Sequence, residues 1–237
     1  MSANSTVRIA GSSSAPIIVT CEHASAELPE PWFWHAEDAW LVDTHWAYDL
    51  GAAALATALA ARLEAPAVLA GFSRLLVDPN RPPESPSFIR TAADGRAVKL
   101  NENLTEEERA RRTQYWTAYH EAVARTVSET TAPVLFAVHT FTPHYPGEDR
   151  DHIEVGVLFD SEEELAHAMA SHIARAGWLV HLNEPYSGKR GLIYAVDRHA
   201  RAAGRRALEI ELRQDLAKNS DKRNALADCI AEFSWPK

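Results

Sequence analysis

The chain has 237 residues, 46% hydrophobic and 24% charged, a balance that suits a large α/β core. A formal net charge of −9 with dispersed Lys and Arg argues against a nucleic-acid partner, because phosphate binding needs a basic stripe. No apolar run approaches the roughly 20 residues of a membrane span, and residues 1–6 lack the basic start and apolar core of a signal peptide, so a cytoplasmic protein without membrane association is expected.

Strands and helices alternate along the chain. Ile17-Ile18-Val19-Thr20 is a β-branched run that leads into Cys21-Glu22-His23-Ala24-Ser25, a strand giving way to a loop. Residues 49–65 form an Ala- and Leu-rich stretch of helical character, ended by Pro66. Strands are expected over residues 66–71 and 74–78, the second closed by Pro79-Asn80-Arg81-Pro82-Pro83. Residues 82–101 read as a loop of about 20 residues, a length that in compact domains often marks a lid or a binding loop. Thr105 followed by Glu106-Glu107-Glu108 resembles a helix start with a carboxylate three residues after the cap, and that helix should run to about Ser128. Pro133-Val134-Leu135-Phe136-Ala137-Val138 is a buried strand that delivers His139 at its end. A strand at 154–159, a helix at 161–176, a strand at 178–182, a helix near 194–203 and a strand at 207–212 follow. This order predicts a three-layer α/β/α sandwich with a mostly parallel mixed sheet, in a single domain over residues 1–237.

The chemistry concentrates at strand ends. His23 and His139 each stand where a strand gives way to a loop, and ligands of α/β proteins bind in the crevice beyond the carboxyl ends of the strands. Asp43 and His45, two apart in Val42-Asp43-Thr44-His45-Trp46, project to one side of an extended segment. Carboxylate and imidazole together suit zinc, whose catalytic sites use three protein ligands and leave a position for water. Asp43 suits the cap of the following helix equally well. The expected ligands of one zinc are His23, Asp43 and His139, with His45 as the alternative. Arg81, between Asn80 and Pro82, presents a planar fork that binds a carboxylate bidentately. Strand alternation puts Glu209, Glu211 and Arg213 on one face, where two carboxylates and a guanidinium need partners if buried. Glu211, nearer the strand end, is the expected general base, and Tyr186 and Ser187 stand in a turn placed to close over substrate.

Five blocks carry a family resemblance. They are Val19-Thr20-Cys21-Glu22-His23-Ala24-Ser25, the segment from Asp43 to Gly51, the segment from Ser73 to Pro82, His139-Thr140-Phe141-Thr142-Pro143, and Glu209-Ile210-Glu211-Leu212-Arg213-Gln214-Asp215-Leu216. Together they resemble the N-formylglutamate amidohydrolase family, over most of the chain. The resemblance implies a fold similar to zinc-dependent exopeptidases of the carboxypeptidase and aspartoacylase type, a metal-bound water, substrate recognition by Asn80 and Arg81, and a late base at Glu211. It departs where those enzymes carry a glutamate ligand three residues after the first histidine, since that position is Ala26 here. Asp43 is read as the replacement, with His45 and Glu22 behind it.

The expected activity is zinc-dependent hydrolysis of a small N-acyl amino acid resembling N-formylglutamate, its carboxylate met by Arg81 and Asn80 with help from Arg74 or Arg213. Two other classes remain open. One is a cysteine amidase using Cys21 with His23 or His139; the other is a non-catalytic protein that binds small carboxylates through Arg81 and Arg74.

Overall fold

In the computed structural model, which describes residues 5–145 and 147–236, the apolar runs before the two histidines become neighbouring parallel strands. Met1 to Asn4, part of the segment read as lacking a signal peptide, lie outside the described residues. An edge strand β1 (Thr6–Ile9) is followed by β2 (Ile17–Cys21), α1 (Ala52–Arg62), β3 (Ala67–Ala70) and a small hairpin, β4 (Ala92–Ala93) with β5 (Arg96–Ala97). Helix α2 (Glu106–Ser128) leads to β6 (Val134–Phe141), a second hairpin, β7 (His144–Tyr145) with β8 (Glu148–Asp149), and β9 (Val155–Leu158). The chain finishes with α3 (Glu163–Arg175), β10 (Val180–Leu182), α4 (Tyr194–Ala203), β11 (Arg206–Arg213), α5 (Gln214–Lys218) and α6 (Ser220–Ala231).

The main sheet has the order β1-β3-β2-β6-β11-β9-β10. Its centre is parallel through β3, β2, β6 and β11, and the pairings of β1 with β3 and of β9 with β11 are antiparallel. Every residue of β2 and β6 is buried, as expected of central strands covered on both faces. Leu55, Leu59, Leu165, Met169, Leu226 and Ile230 of α1, α3 and α6 pack on one face, and Trp116, Tyr119, Val123, Val196 and Ala200 of α2 and α4 pack on the other. No helix among the described residues is long and apolar enough to cross a membrane.

Local chemistry accounts for the helix starts. The Thr105 hydroxyl accepts the Glu108 N–H at 3.1 Å, so the expected cap forms, and Glu106, Glu107 and Glu108 stand in the positive first turn of α2. Gly51 precedes α1 with φ +87°, and a Cβ there would lie 2.7 Å from the Ala217 carbonyl oxygen. Only glycine meets both demands.

Three expectations change. Residues 74–78 are not a strand: 74–76 form a turn, with Leu76 N–H bonded to the Ser73 carbonyl at 2.9 Å, and the segment has no place in the sheet, although Leu75, Leu76 and Val77 are all buried. The segment 82–101 is not a free lid. Asp38 accepts the N–H groups of Lys99 and Leu100 at 2.8 and 2.7 Å, and Ala93, Val98 and Leu100 pack with Leu41 and Leu75. The edge strand β1 and the helices after β11 were not anticipated.

Helices α2 and α4 are joined by an imidazole pair. His120 and His199 stack with ring centroids 5.0 Å apart and share a 2.8 Å hydrogen bond between Nδ1 and Nε2. Burial, helped by the nearby Arg198 charge, depresses His120 to about 3 and His199 to about 4. Both are neutral when folded, whereas the unfolded chain takes up protons below the ordinary value of 6.5. Their stabilisation is therefore full above about pH 6.5 and is lost as pH falls toward 4 and 3. The unfolding free energies of wild type and His199→Gln should converge by about 2 kcal/mol between pH 7 and pH 5. A gap independent of pH would contradict this.

Candidate active site

Strands β2, β6 and β11 all end at the same edge of the sheet, and alternation decides what each presents there. Ile18, Leu135, Ala137 and Ala207 face α2 and α4. Further out on that face stand His139, Glu209 and Glu211, with Glu22 and His23 just beyond β2. Val19, Cys21, Phe136, Val138, Leu208 and Ile210 face the opposite core. Cys21 is fully buried there, and burial raises its thiol well above the ordinary value. That placement withdraws support from the cysteine amidase.

A cleft of about 650 Å³ opens on this edge, with His23, Asp49, His139, Glu209, Glu211 and Arg74 among its walls, a size suited to a small-molecule ligand. The loop through Glu184 and Pro185 lines it beside the sheet. Gly156, paired with Glu211 in the register of β9 and β11, permits that approach, since a Cβ there would lie 2.2 Å from the Glu184 carbonyl oxygen.

The two histidines are held alike. His23 Nε2 meets Asp78 Oδ1 at 2.8 Å, and His139 Nε2 meets Glu22 Oε2 at 2.9 Å. Both Nδ1 atoms turn toward Asp49 Oδ2, His139 at 2.8 Å and His23 at 3.4 Å. The Asp49 N–H bonds to the His23 carbonyl at 2.9 Å, tying the segments together. Arg74 grips Asp78 Oδ2 through Nη2 at 2.8 Å and Nε at 3.2 Å and reaches Asp49 Oδ1 at 3.7 Å.

Electrostatics follow from this packing. Burial disfavours charge on Glu22, but the His139 and Tyr119 hydrogen bonds prevail and hold it at about 2. Burial is likewise outweighed at Asp49 by the two histidines and at Asp78 by Arg74 and His23, so both carboxyls stay below the usual range. Burial works against a charged His139, yet Glu209, Asp49 and Glu22 hold its pKa well above the ordinary value. Glu209 and Glu211 differ: burial dominates, pushing Glu209 up to about 7 and Glu211 well above the carboxylate range. One carboxyl oxygen of each is buried without a hydrogen-bond partner among the described residues.

The geometry gathers His23, His139, Glu211, Arg74, Asn80, Arg81 and Tyr186 around the cleft, but it corrects several assignments. Asp43 is exposed in the turn after a short 3₁₀ helix and is not in the buried group His23, Asp49 and His139. The carboxylate beside the histidines is Asp49, brought there by its backbone bond to His23. His45 lines the cleft against the Trp46 ring but stands outside that group. Arg213 turns away to Asp215, at 2.8 Å, and to the Asp151 and Ile153 carbonyls, because it is the last residue of β11. Asn80 spends its amide on the Leu192 carbonyl and the Ala195 N–H, at 3.2 and 3.0 Å, so it shapes the turn. Arg74 is engaged with Asp78. Among the carboxylate-binding candidates, Arg81 has a guanidinium with no carboxylate partner among the described residues; it donates to its neighbour's carbonyl at 2.6 Å.

The buried group fits a divalent metal on its own geometry. His23 Nδ1 is buried and makes no hydrogen bond among the described residues, while the Nε2 atoms are committed to carboxylates, the outer-sphere arrangement that leaves Nδ1 for a metal. The candidate donor atoms lie within 4.8 Å of one another; the 3.4 Å from His23 Nδ1 to Asp49 Oδ2 is close to the roughly 3.3 Å edge of a zinc tetrahedron with 2.0 to 2.1 Å bonds, while the 2.8 Å from His139 Nδ1 to the same oxygen is a hydrogen bond that would have to open by about 0.5 Å to admit the ion. Buried carboxylates outnumber nearby cationic groups, an excess a dication offsets. Two further groups among the described residues bring possible donors together: His139, Glu209 and Glu211, which is buried and shares His139 with the first, and His144, Asp149 and Asp151, which is exposed.

The comparisons agree with this architecture. The gene product Atu2144 of Agrobacterium tumefaciens is 32% identical with a TM-score of 0.90, covering 97% of this chain and 93% of that one. An N-formylglutamate amidohydrolase from Ralstonia eutropha JMP134, 18% identical with a TM-score of 0.65 over 97% of this chain and 98% of that one, shares the fold. No curated protein matches the chain. The match to the N-formylglutamate amidohydrolase family extends over residues 15–217, and takes in every residue of the cleft just described: the chain belongs to this family of amide hydrolases.

Proposed function

We propose that this protein is a zinc-dependent amidohydrolase of a small N-acyl amino acid with a free carboxylate, N-formylglutamate being the first substrate to test. The observation that carries the reading is the approach of His23 Nδ1 and His139 Nδ1 to Asp49 Oδ2 beside Glu211, whose Oε2 is buried without a hydrogen-bond partner among the described residues. His23, Asp49 and His139 would hold the metal. Zinc, when bound, polarises an amide carbonyl and makes water acidic enough to ionise near neutrality.

The chain's own groups supply the rest. Asp78 and Glu22 keep the imidazoles oriented, and Arg74 keeps Asp78 in place. Burial disfavours charge on Glu211, an effect that would be offset by a dication held by the neighbouring histidines, favouring the carboxylate form. The Glu211 carboxylate takes a proton from the attacking water as the water oxygen bonds to the carbonyl carbon. It returns that proton to the amine nitrogen as the C–N bond breaks, leaving an acid and a free amine. Arg81 receives the substrate carboxylate, and Tyr186, whose hydroxyl accepts a 3.2 Å bond from Arg150 Nη1, closes the outer wall.

Arg81→Lys keeps the charge but loses the planar fork. It should lower kcat/KM by about 10- to 100-fold, the worth of one charged hydrogen bond, without lowering zinc content. The check is a panel of N-formyl and N-acetyl amino acids assayed beside their carboxamides. Equal turnover of a free acid and its carboxamide would remove Arg81 from recognition. Binding without turnover across the panel would favour the carboxylate-binding alternative.

A further inference from the structure

Helix α2 touches the active site through one face, and nothing in the proposed chemistry requires it to. Trp116, Tyr119 and His120 are spaced i, i+3 and i+4 and so point the same way. All three are buried, Tyr119 fully, and Trp116 and Tyr119 belong to the core on that face of the sheet. Each nonetheless aims its polar atom at a site group. Tyr119 Oη donates to Glu22 Oε1 at 2.7 Å, and the other oxygen of Glu22 holds His139 Nε2. Trp116 Nε1 donates to the Arg81 carbonyl at 3.0 Å. His120 Nε2 lies 3.1 Å from the Pro79 carbonyl, which only accepts, so this nitrogen carries the proton. The carbonyls gripped by Trp116 and His120 flank Asn80, the residue before the proposed substrate anchor.

We infer that Trp116, Tyr119 and His120 are positioning residues that divide the site between them, Tyr119 setting metal affinity through Glu22 and His139, Trp116 and His120 setting the placement of Arg81. The inference rests on the proposed function and adds which residues hold its two halves in register. Core packing alone predicts that truncating either side chain loosens everything together. Positioning predicts that the two effects separate.

The experiment measures two properties of each full-length variant: zinc affinity of the stripped protein by chelator competition, and KM for N-formylglutamate after zinc loading. Tyr119→Phe, which removes one oxygen, should weaken zinc binding about 10-fold, the usual loss for an outer-sphere partner, and leave KM within twofold. Glu22→Gln should act on zinc in the same direction, and the double variant should lose less than the sum, because both act through one chain of bonds. Trp116→Phe should raise KM several-fold and leave zinc affinity unchanged; His120→Phe serves the same arm if Trp116→Phe does not fold. Unchanged zinc affinity in Tyr119→Phe, or parallel losses of both properties in both variants, overturns the inference. A wild type that binds no zinc, or turns over no member of the N-formyl and N-acetyl amino-acid panel, overturns the underlying reading and takes the corresponding half of the inference with it; KM is read with whichever member of the panel the wild type turns over.

Discussion

Glu211→Gln should lower turnover of N-formylglutamate by about 10²- to 10⁴-fold while zinc content stays at the wild-type level, because the amide keeps the shape of the carboxylate but cannot take the proton of water. The carboxyl stands beside His139 in the register of β6 and β11, faces the cleft and has an oxygen with no partner among the described residues. Glu209 is one pleat deeper, paired in register with Ala137 and 3.6 Å from His139 Nε2. Its replacement by Gln should be milder. Steady-state kinetics and metal analysis on the same preparations decide the matter, and a larger loss in Glu209→Gln would move the base one pleat inward.

His23→Ala and His139→Ala should each abolish zinc retention and activity together. Each removes a donor and takes an imidazole from a buried carboxylate: Asp78 in the first case, which keeps Arg74, and Glu22 in the second, which keeps only the Tyr119 hydroxyl. Leaving Glu22 without its charged partner also destabilises the fold, by about 3 to 5 kcal/mol, so the fall in melting temperature should be larger in His139→Ala than in His23→Ala. Full zinc occupancy in either variant would remove that histidine from the ligand set.

The sheet was legible in the sequence because β2 and β6 are apolar runs that place their chemistry where the run stops, and β11 alternates apolar and charged residues. His23 and His139 were visible for the first reason, Glu211 for the second, and Arg81 because a guanidinium between Asn80 and Pro82 is a poor surface charge. Asp49 was not. It lies six residues after Asp43, before the same helix, and what separates them is a tertiary contact, the backbone bond from Asp49 to His23. Periodicity says nothing of such a bond. Arg213 was misplaced because alternation holds only inside a strand, and β11 ends at that residue. The part played by α2 was hidden for a related reason: Trp116, Tyr119 and His120 fit an apolar stripe, and only their distant polar partners distinguish them from ordinary core.

The central claim is that a metal is held by His23, Asp49 and His139, and the most direct test compares two aspartates. Protein purified in the presence of zinc and freed of excess should be analysed for bound metal as wild type, Asp43→Asn and Asp49→Asn. The expected result is about one zinc per chain in wild type and in Asp43→Asn, with little or none in Asp49→Asn. Undiminished zinc in Asp49→Asn, or a wild type that retains none, would contradict the account.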